Sequence, residues 1–341
     1  MVGLMDVLRF LESSLDEVGL EVSAKSFDPS LDLFINDEDR VKDKEFVEES
    51  IGVSDGFMPD FLRLEVGESK PVFAVDTSSI IIGECGDGLI FAIRGVSIGW
   101  NPLTGKEFIV HLLESPCFVS NSNKQKLYDK LRKNIWGLKG KLGKAPSTFK
   151  MVDRIRNIYE RFLQFELAKN TKNSILLFDG SLTGNTLDTP AKVLKNILNT
   201  AVNNNCDVVA ISKKSNLFKG EKIVNQILNS PIVPAIIPIV KPLPYRKTHQ
   251  LLGKIYLARF SRLPIYFRVD VYSNRSHEKV FSDLLVSVFL ESGYPKPLIK
   301  AHSYSYFNAF DALTIQAILI KRGIKVRKEF DIRKILFGSY R

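Results

Sequence analysis

Residues 71–113 carry four apolar runs in close succession: Pro71-Val-Phe-Ala-Val-Asp76, Ser79-Ile-Ile-Ile-Gly83, Gly88-Leu-Ile-Phe-Ala-Ile-Arg-Gly-Val-Ser97 and Lys106-Glu-Phe-Ile-Val-His-Leu-Leu113. Each is short, rich in β-branched and aromatic residues, and bounded by Gly, Asp or Pro, which reads as a meander of antiparallel strands. Downstream the pattern changes to alternation. A helix over residues 150–169 precedes the apolar run Ser174-Ile-Leu-Leu-Phe-Asp179, then come a turn at Gly180–Gly184, a helix over 190–203, and the run Asp207-Val-Val-Ala-Ile-Ser-Lys213. A helix near 220–228, strands at 254–259 and 265–270, and C-terminal helices near 278–291 and 309–322 complete the chain. Strands first and alternation afterwards predict an α/β fold, a mixed sheet with helices on its faces.

Upstream of the meander the composition differs. Residues 1–60 hold sixteen Asp/Glu against five Lys/Arg, whereas the whole 341-residue chain has a formal charge of +10, so residues 61–341 stand at +21. Leu4, Val7, Leu8, Leu11, Leu15, Val18 and Leu20 recur at helical spacing with acids between them, and a second helix is expected over residues 43–51. The chain therefore divides into an acidic helical arm, residues 1–60, and a basic body, residues 61–341, with a basic insertion at 121–150 that has nine Lys/Arg and one acid, Asp129. A basic excess of this size favours a polyanionic partner, because neutralised phosphates release condensed counterions. Cys85, Cys117 and Cys206 are too scattered for a disulfide framework or a zinc ribbon. No run of about 18 apolar residues is present, so a membrane span is not expected, and the chain reads as soluble and intracellular.

Two of the apolar runs end alike, in Val-Asp76-Thr-Ser and Phe-Asp179-Gly-Ser. An apolar strand ending in Asp delivers a carboxylate to a sheet edge. Two such strands side by side would bring carboxylates into repulsion that a hard divalent cation relieves. A third acid is expected from the helix over 150–169. Strand and helix lengths favour Glu160, whereas facing favours Glu166, which falls in the apolar stripe of Met151, Ile155, Tyr159 and Phe162; Glu160 is preferred. Glu114 and Asp153 are lesser candidates. Lys213 follows a further strand end and is suited to a phosphate or to balancing carboxylates. His302, in Gly293-Tyr-Pro-Lys-Pro-Leu-Ile-Lys-Ala-His302, is suited to completing a metal shell or giving a proton to a leaving alkoxide. His111, His249 and His277 sit in no motif.

Taken in order, the Val-Asp76-Thr-Ser, Phe-Asp179-Gly-Ser-Leu and Ile-Ser-Lys213 ends and the Gly-Tyr294-Pro…Ala-His302 segment resemble the NurA nucleases of archaea over residues 70–305. The resemblance implies an RNase H-like core and a manganese-dependent nuclease that resects DNA ends from the 5′ side in double-strand break repair. It also implies a homodimer docked on the hexameric ATPase HerA, with Asp76, the helix glutamate, Asp179 and His302 at the metal site. Thr77 departs from the commoner Asp-Gly-Ser and is expected to alter the turn while keeping the carboxylate. On this reading two ions, manganese or magnesium, serve a 5′ to 3′ exonuclease and single-strand endonuclease located with the nucleoid in the cytoplasm. Lys213 braces a phosphate, Tyr294 stacks on a base or binds the backbone, and Lys139, Lys141 and Lys144 track the DNA. The acidic arm is expected to pack on a second protomer rather than on its own body. Two rival classes use the same residues: an RNase H-like nuclease acting on RNA or recombination junctions, and a non-catalytic nucleic-acid scaffold in which Asp76 and Asp179 only begin turns.

Overall fold

The computed structural model describes residues 4–18, 21–24, 51–52, 60–85, 88–138, 143–186, 189–213, 217–218, 221–244 and 246–326. Helix α1 (Leu4–Ser13) is followed by three long strands, β1 (Val72–Cys85), β2 (Gly88–Asn101) and β3 (Lys106–Ser120), which form the expected antiparallel meander. Helices α2 (Lys124–Trp136) and α3 (Thr148–Asn170) lead into β4 (Ile175–Asp179), α4 (Ala191–Asn203) and β5 (Asp207–Ser212). Strands β6 (Ala235–Pro238), β7 (Lys254–Arg259) and β8 (Phe267–Tyr272) precede helices α5 (His277–Ser287), α6 (Lys296–Ser305) and α7 (Ala309–Lys321).

The main sheet runs β3-β2-β1-β4-β5-β8-β7-β6. Strands β4 and β5 are parallel to β1 and every other neighbouring pair along that path is antiparallel. A three-strand meander with two parallel strands added beside its first strand is the RNase H-like order. Central strands are apolar on both faces, since helices cover both. Val75, Phe91, Ile93 and Val119 pack under α1, α2 and α3, and Leu176, Phe178, Val208 and Ala210 continue that layer under α4. On the opposite face Ala74, Val96, Leu177 and Val209 meet Phe281 of α5 and Leu298 and Ala301 of α6.

One expectation is corrected at β1. The runs before and after Asp76 are one strand of 14 residues, so Asp76 does not end a strand. What ends there is a partnership: β4 pairs with Val72–Val75 and stops at Asp179, while β2 continues alongside β1 through Cys85. The stretch Asp76–Thr77 is strand because β2 holds it, and no turn follows.

The N-terminal segment is also revised. The helix ends at Ser13, a 3₁₀ turn spans Ser14–Glu17, and Glu21–Ala24 is a strand beside the far end of β1. Val7 and Leu11 are buried against the chain's own sheet and helices, and Leu15 joins a cluster with Ile82, Ile90 and Leu319. Of the helix expected over 43–51 only Ile51 is described, and it is strand; the rest lies outside the described residues.

At the sheet end opposite Asp179, the extended segment 60–71 is fastened to α5. Ser282 Oγ, Asp283 Oδ1 and Ser287 Oγ accept from the backbone N–H groups of Glu65, Glu68 and Lys70. Asp283 and Asp207 are both buried and are paired by Lys70 and Arg275. This end is fully compensated.

Candidate metal centre

The parallel register Val75↔Phe178 places Asp76 level with Asp179 on the adjoining strand. Residues level on neighbouring parallel strands share a face, about 5 Å apart along the hydrogen-bonding direction. Gly180, with φ of 93°, makes the turn after Asp179, a backbone conformation that a side chain would strain. No such turn is needed after Asp76, which is why threonine stands at 77. Its hydroxyl faces the other side of the sheet and donates to Glu160 Oε2 at 3.1 Å.

Glu160 reaches this position because α3 lies close on the meander. Gly95, paired with Thr77, has no side chain where a Cβ would stand 2.4 Å from Leu163 Cδ1 and 2.7 Å from Tyr159 Cε1. Gln164 Nε2 donates to Glu160 Oε1 at 3.0 Å, and Arg161 Nη1 in turn donates to Gln164 Oε1 at 2.8 Å. Burial chiefly, with the negative charges of Asp76 and Asp179 adding, pushes the Glu160 carboxyl up to about 7 against the pull of Arg161 and Arg156. Glu166 is elsewhere. It lies six residues on, about 9 Å further along the helix, where Lys169 Nζ pairs with it at 3.0 Å and Asn170 Nδ2 donates to it.

Helix α6 supplies the other face. Prolines 295 and 297 open this helix, an element missing from the sequence reading, and its last two turns bring His302 and Ser305 onto Asp76. His302 Nδ1 lies 3.2 Å from Asp76 Oδ2, and Ser305 Oγ donates to the same oxygen. The Asp76 carboxylate raises the imidazole above its ordinary value, chiefly through this hydrogen bond and against partial burial. Lys213 Nζ pairs with Asp179 Oδ2 at 2.8 Å and stands 5.0 Å from the centroid of the Tyr294 ring. Tyr294 Oη donates to Asp179 Oδ1 at 3.3 Å. The tyrosine is buried with its ring against Phe267, so stacking on a base is not available to it.

Other candidates lie apart. Glu114 is paired at 2.6 Å with Arg94, which also holds Asp311 of α7. Asp153 is exposed near the start of α3, two turns before Glu160. Lys139 and Lys141 lie outside the described residues, and Lys144 is exposed.

Among the described residues, no three His, Cys, Asp or Glu side chains bring their donor atoms to one point. Each aspartate is instead engaged by internal donors, His302 and Ser305 on Asp76 and Lys213 and Tyr294 on Asp179. The donor set nevertheless fits a hard divalent cation. Three carboxylates and an imidazole lie at one sheet end, and the repulsion from Asp76 and Asp179, which adds to burial in raising Glu160 to about 7, is what a cation relieves. Ser305, Thr77 and Gln164 escaped the sequence reading. They are small or amide side chains with no spacing of their own, and only the fold brings them to the acids.

A family model, the NurA domain, matches residues 70–306. Solved structures similar to this chain include the NurA nuclease from Sulfolobus solfataricus, 15% identical, covering 86% of this chain and 93% of that one with a TM-score of 0.49. A NurA with manganese is 10% identical, covering 86% and 97%, TM-score 0.43. Endonuclease V from Ciona intestinalis, in complex with DNA containing an inosine, is 13% identical, covering 83% and 99%, TM-score 0.35. No curated protein matches the sequence. No described helix is long and apolar enough to cross a membrane.

Proposed function

The chain belongs to the NurA family, and from that premise we propose that it is a divalent-metal-dependent nuclease that hydrolyses phosphodiester bonds in DNA. The observation that carries this reading is the level placement of Asp76 and Asp179 on adjoining parallel strands, with Glu160 held beside them and raised to about 7. Asp76, Asp179, Glu160 and His302 would hold the metal, with manganese preferred and two ions per site expected. When bound, such ions stabilise the charge that builds on phosphorus-bound oxygens and favour ionisation of the attacking water.

The remaining roles fall to side chains of this chain. Lys213 is partly exposed beside Asp179 and presents its ammonium to a phosphate oxygen. His302 is half-exposed beside Asp76, which places its imidazole within reach of an ion held there. Tyr294 and Ser305 orient the two aspartates through their hydroxyls.

End resection with 5′ to 3′ polarity, single-strand endonuclease activity, a homodimer and docking on a HerA-type hexameric ATPase belong to the same proposal, on the support of the family alone. Because the stripe of α1 is buried on its own body, a dimer needs another surface. The exposed Phe108, Ile109 and Leu112 of the sheet-edge strand β3 support one there. The test is cleavage of labelled DNA with manganese by the wild type, Asp76→Asn and Asp179→Asn. The wild type should cut, and each variant should retain DNA binding with less than a few per cent of the activity. Cleavage by both variants at the wild-type rate would overturn the reading.

A further inference from the structure

A cavity of about 540 Å³ lies between the C-terminal end of α2, the outer side of α3 and one face of α4. Its floor is aromatic, built by Trp136, Phe162 and Phe165, and its rim carries Arg161, Lys192 and Lys195. No acid lines it. The indole N–H of Trp136 is buried and has no acceptor among the described residues. Neither Lys192 nor Lys195, both exposed, has an ion-pair partner among the described residues.

These features belong together chemically. Aromatic side chains under a cationic rim suit a ligand with a flat unsaturated ring and an anionic group. The volume lies in the range that takes a small organic ligand. Aromatic stacking beside a cationic groove is also how single strands are held without regard to sequence. Arg161 ties the cavity to the metal centre: it follows Glu160 in α3, and Gln164 bonds both residues.

We propose that this cavity is a binding subsite for one nucleotide of a single strand, its base on Trp136 and Phe165 and its phosphates on Lys192 and Lys195. The inference rests on the nuclease reading for its substrate, yet it makes a separate claim about this face of the molecule. The cavity shares α3 with Glu160, and Arg161 on its rim is joined to that carboxylate through Gln164.

Binding is measured in chelator, where no metal-dependent cleavage occurs, by indole fluorescence during titration with oligothymidylate. The chain has two tryptophans, Trp100 and Trp136. The wild type should be quenched, and Trp136→Phe should lose most of that response. Lys192→Ala with Lys195→Ala should weaken binding at least tenfold at low salt. It should also flatten the salt dependence by about 1.4 log units per decade, since each lost single-strand phosphate contact removes about 0.7. The far-ultraviolet dichroism and urea midpoint of each variant confirm folding.

Unchanged affinity and salt slope in the folded double variant would overturn the proposal, as would quenching that persists in Trp136→Phe. Equal affinity for thymidine monophosphate and the oligonucleotide would overturn the strand assignment in favour of a free nucleotide. Hydrolysis of bis(p-nitrophenyl) phosphate, too small to span both places, is assayed separately in manganese with the wild type. Its absence would count against the nuclease reading and leave the subsite standing.

Discussion

Replacing Glu160 by glutamine should make the metal-free protein more stable above pH 7. In the folded chain burial and the neighbouring aspartates hold the Glu160 proton to about 7, against an ordinary value of 4.5. Between these values the folded state keeps a proton that the unfolded state has released, so stability falls as pH rises through the window. The interval corresponds to about 3 kcal/mol, at about 1.4 kcal/mol per pH unit. Solvent reaching this partly buried side chain reduces it to roughly 1–3 kcal/mol. Glutamine has the same shape and no charge: its carbonyl can accept from Gln164, and its amide can donate to the Thr77 hydroxyl. Urea unfolding in chelator at pH 5 and pH 8 reads the difference between variant and wild type, in which the titration of His302 and other shared groups largely cancels. Glu160→Gln should gain at pH 8 over pH 5 by that amount, and added manganese should stabilise the wild type more than the variant. An identical pH response in the two proteins, or a variant less stable at pH 8, would refute the electrostatic account of this residue.

Three further outcomes are expected. Glu166→Gln should leave manganese-dependent cleavage within about twofold of wild type, because its carboxylate is occupied by Lys169 and Asn170; a loss as deep as that of Glu160→Gln would reassign the third acid. Gly95→Val forces a side chain into the space of Tyr159 and Leu163 and should cost about 1–3 kcal/mol in urea denaturation, with a fall in cleavage as α3 is lifted from Thr77; a variant as stable and active as wild type would show that the close approach is unnecessary. Replacing Lys139, Lys141 and Lys144 together by alanine should flatten the salt dependence of duplex binding by up to about 2.7 log units per decade, and an unchanged slope would place the DNA track elsewhere.

The meander and the α/β alternation were legible because strand periodicity and Gly/Asp/Pro punctuation act locally. The helix over 150–169 and the strands ending at Asp179 and Ser212 were placed within a few residues. Asp76 carries the signal of a strand end without being one, since a carboxylate inside a strand looks like a terminus when Thr and Ser follow it. What sets it at an edge is the length of β4, a property of another segment. Helix α6 was missed because its prolines look like breakers, although at the first helical positions proline is tolerated. Length and facing point to different glutamates, Glu160 and Glu166. The close seat of α3 on Gly95, which brings Glu160 to Thr77, is a tertiary fact.

The fastening of segment 60–71 to α5 bears on the order in which the chain matures. Glu68 and Asp283 meet across 215 residues, and His302 and Asp76 across 226. Strands β1 to β3, by contrast, are neighbours in sequence. During synthesis from the N-terminus the meander can form while α5 and α6 are still unmade, and contacts of such long separation are closed late because their loop entropy must be met first. A ribosome-bound chain ending before residue 296 therefore contains the strands of the main sheet but lacks the histidine and serine that engage Asp76. The proposed site is completed only when residues 296–305 have emerged and closed over β1.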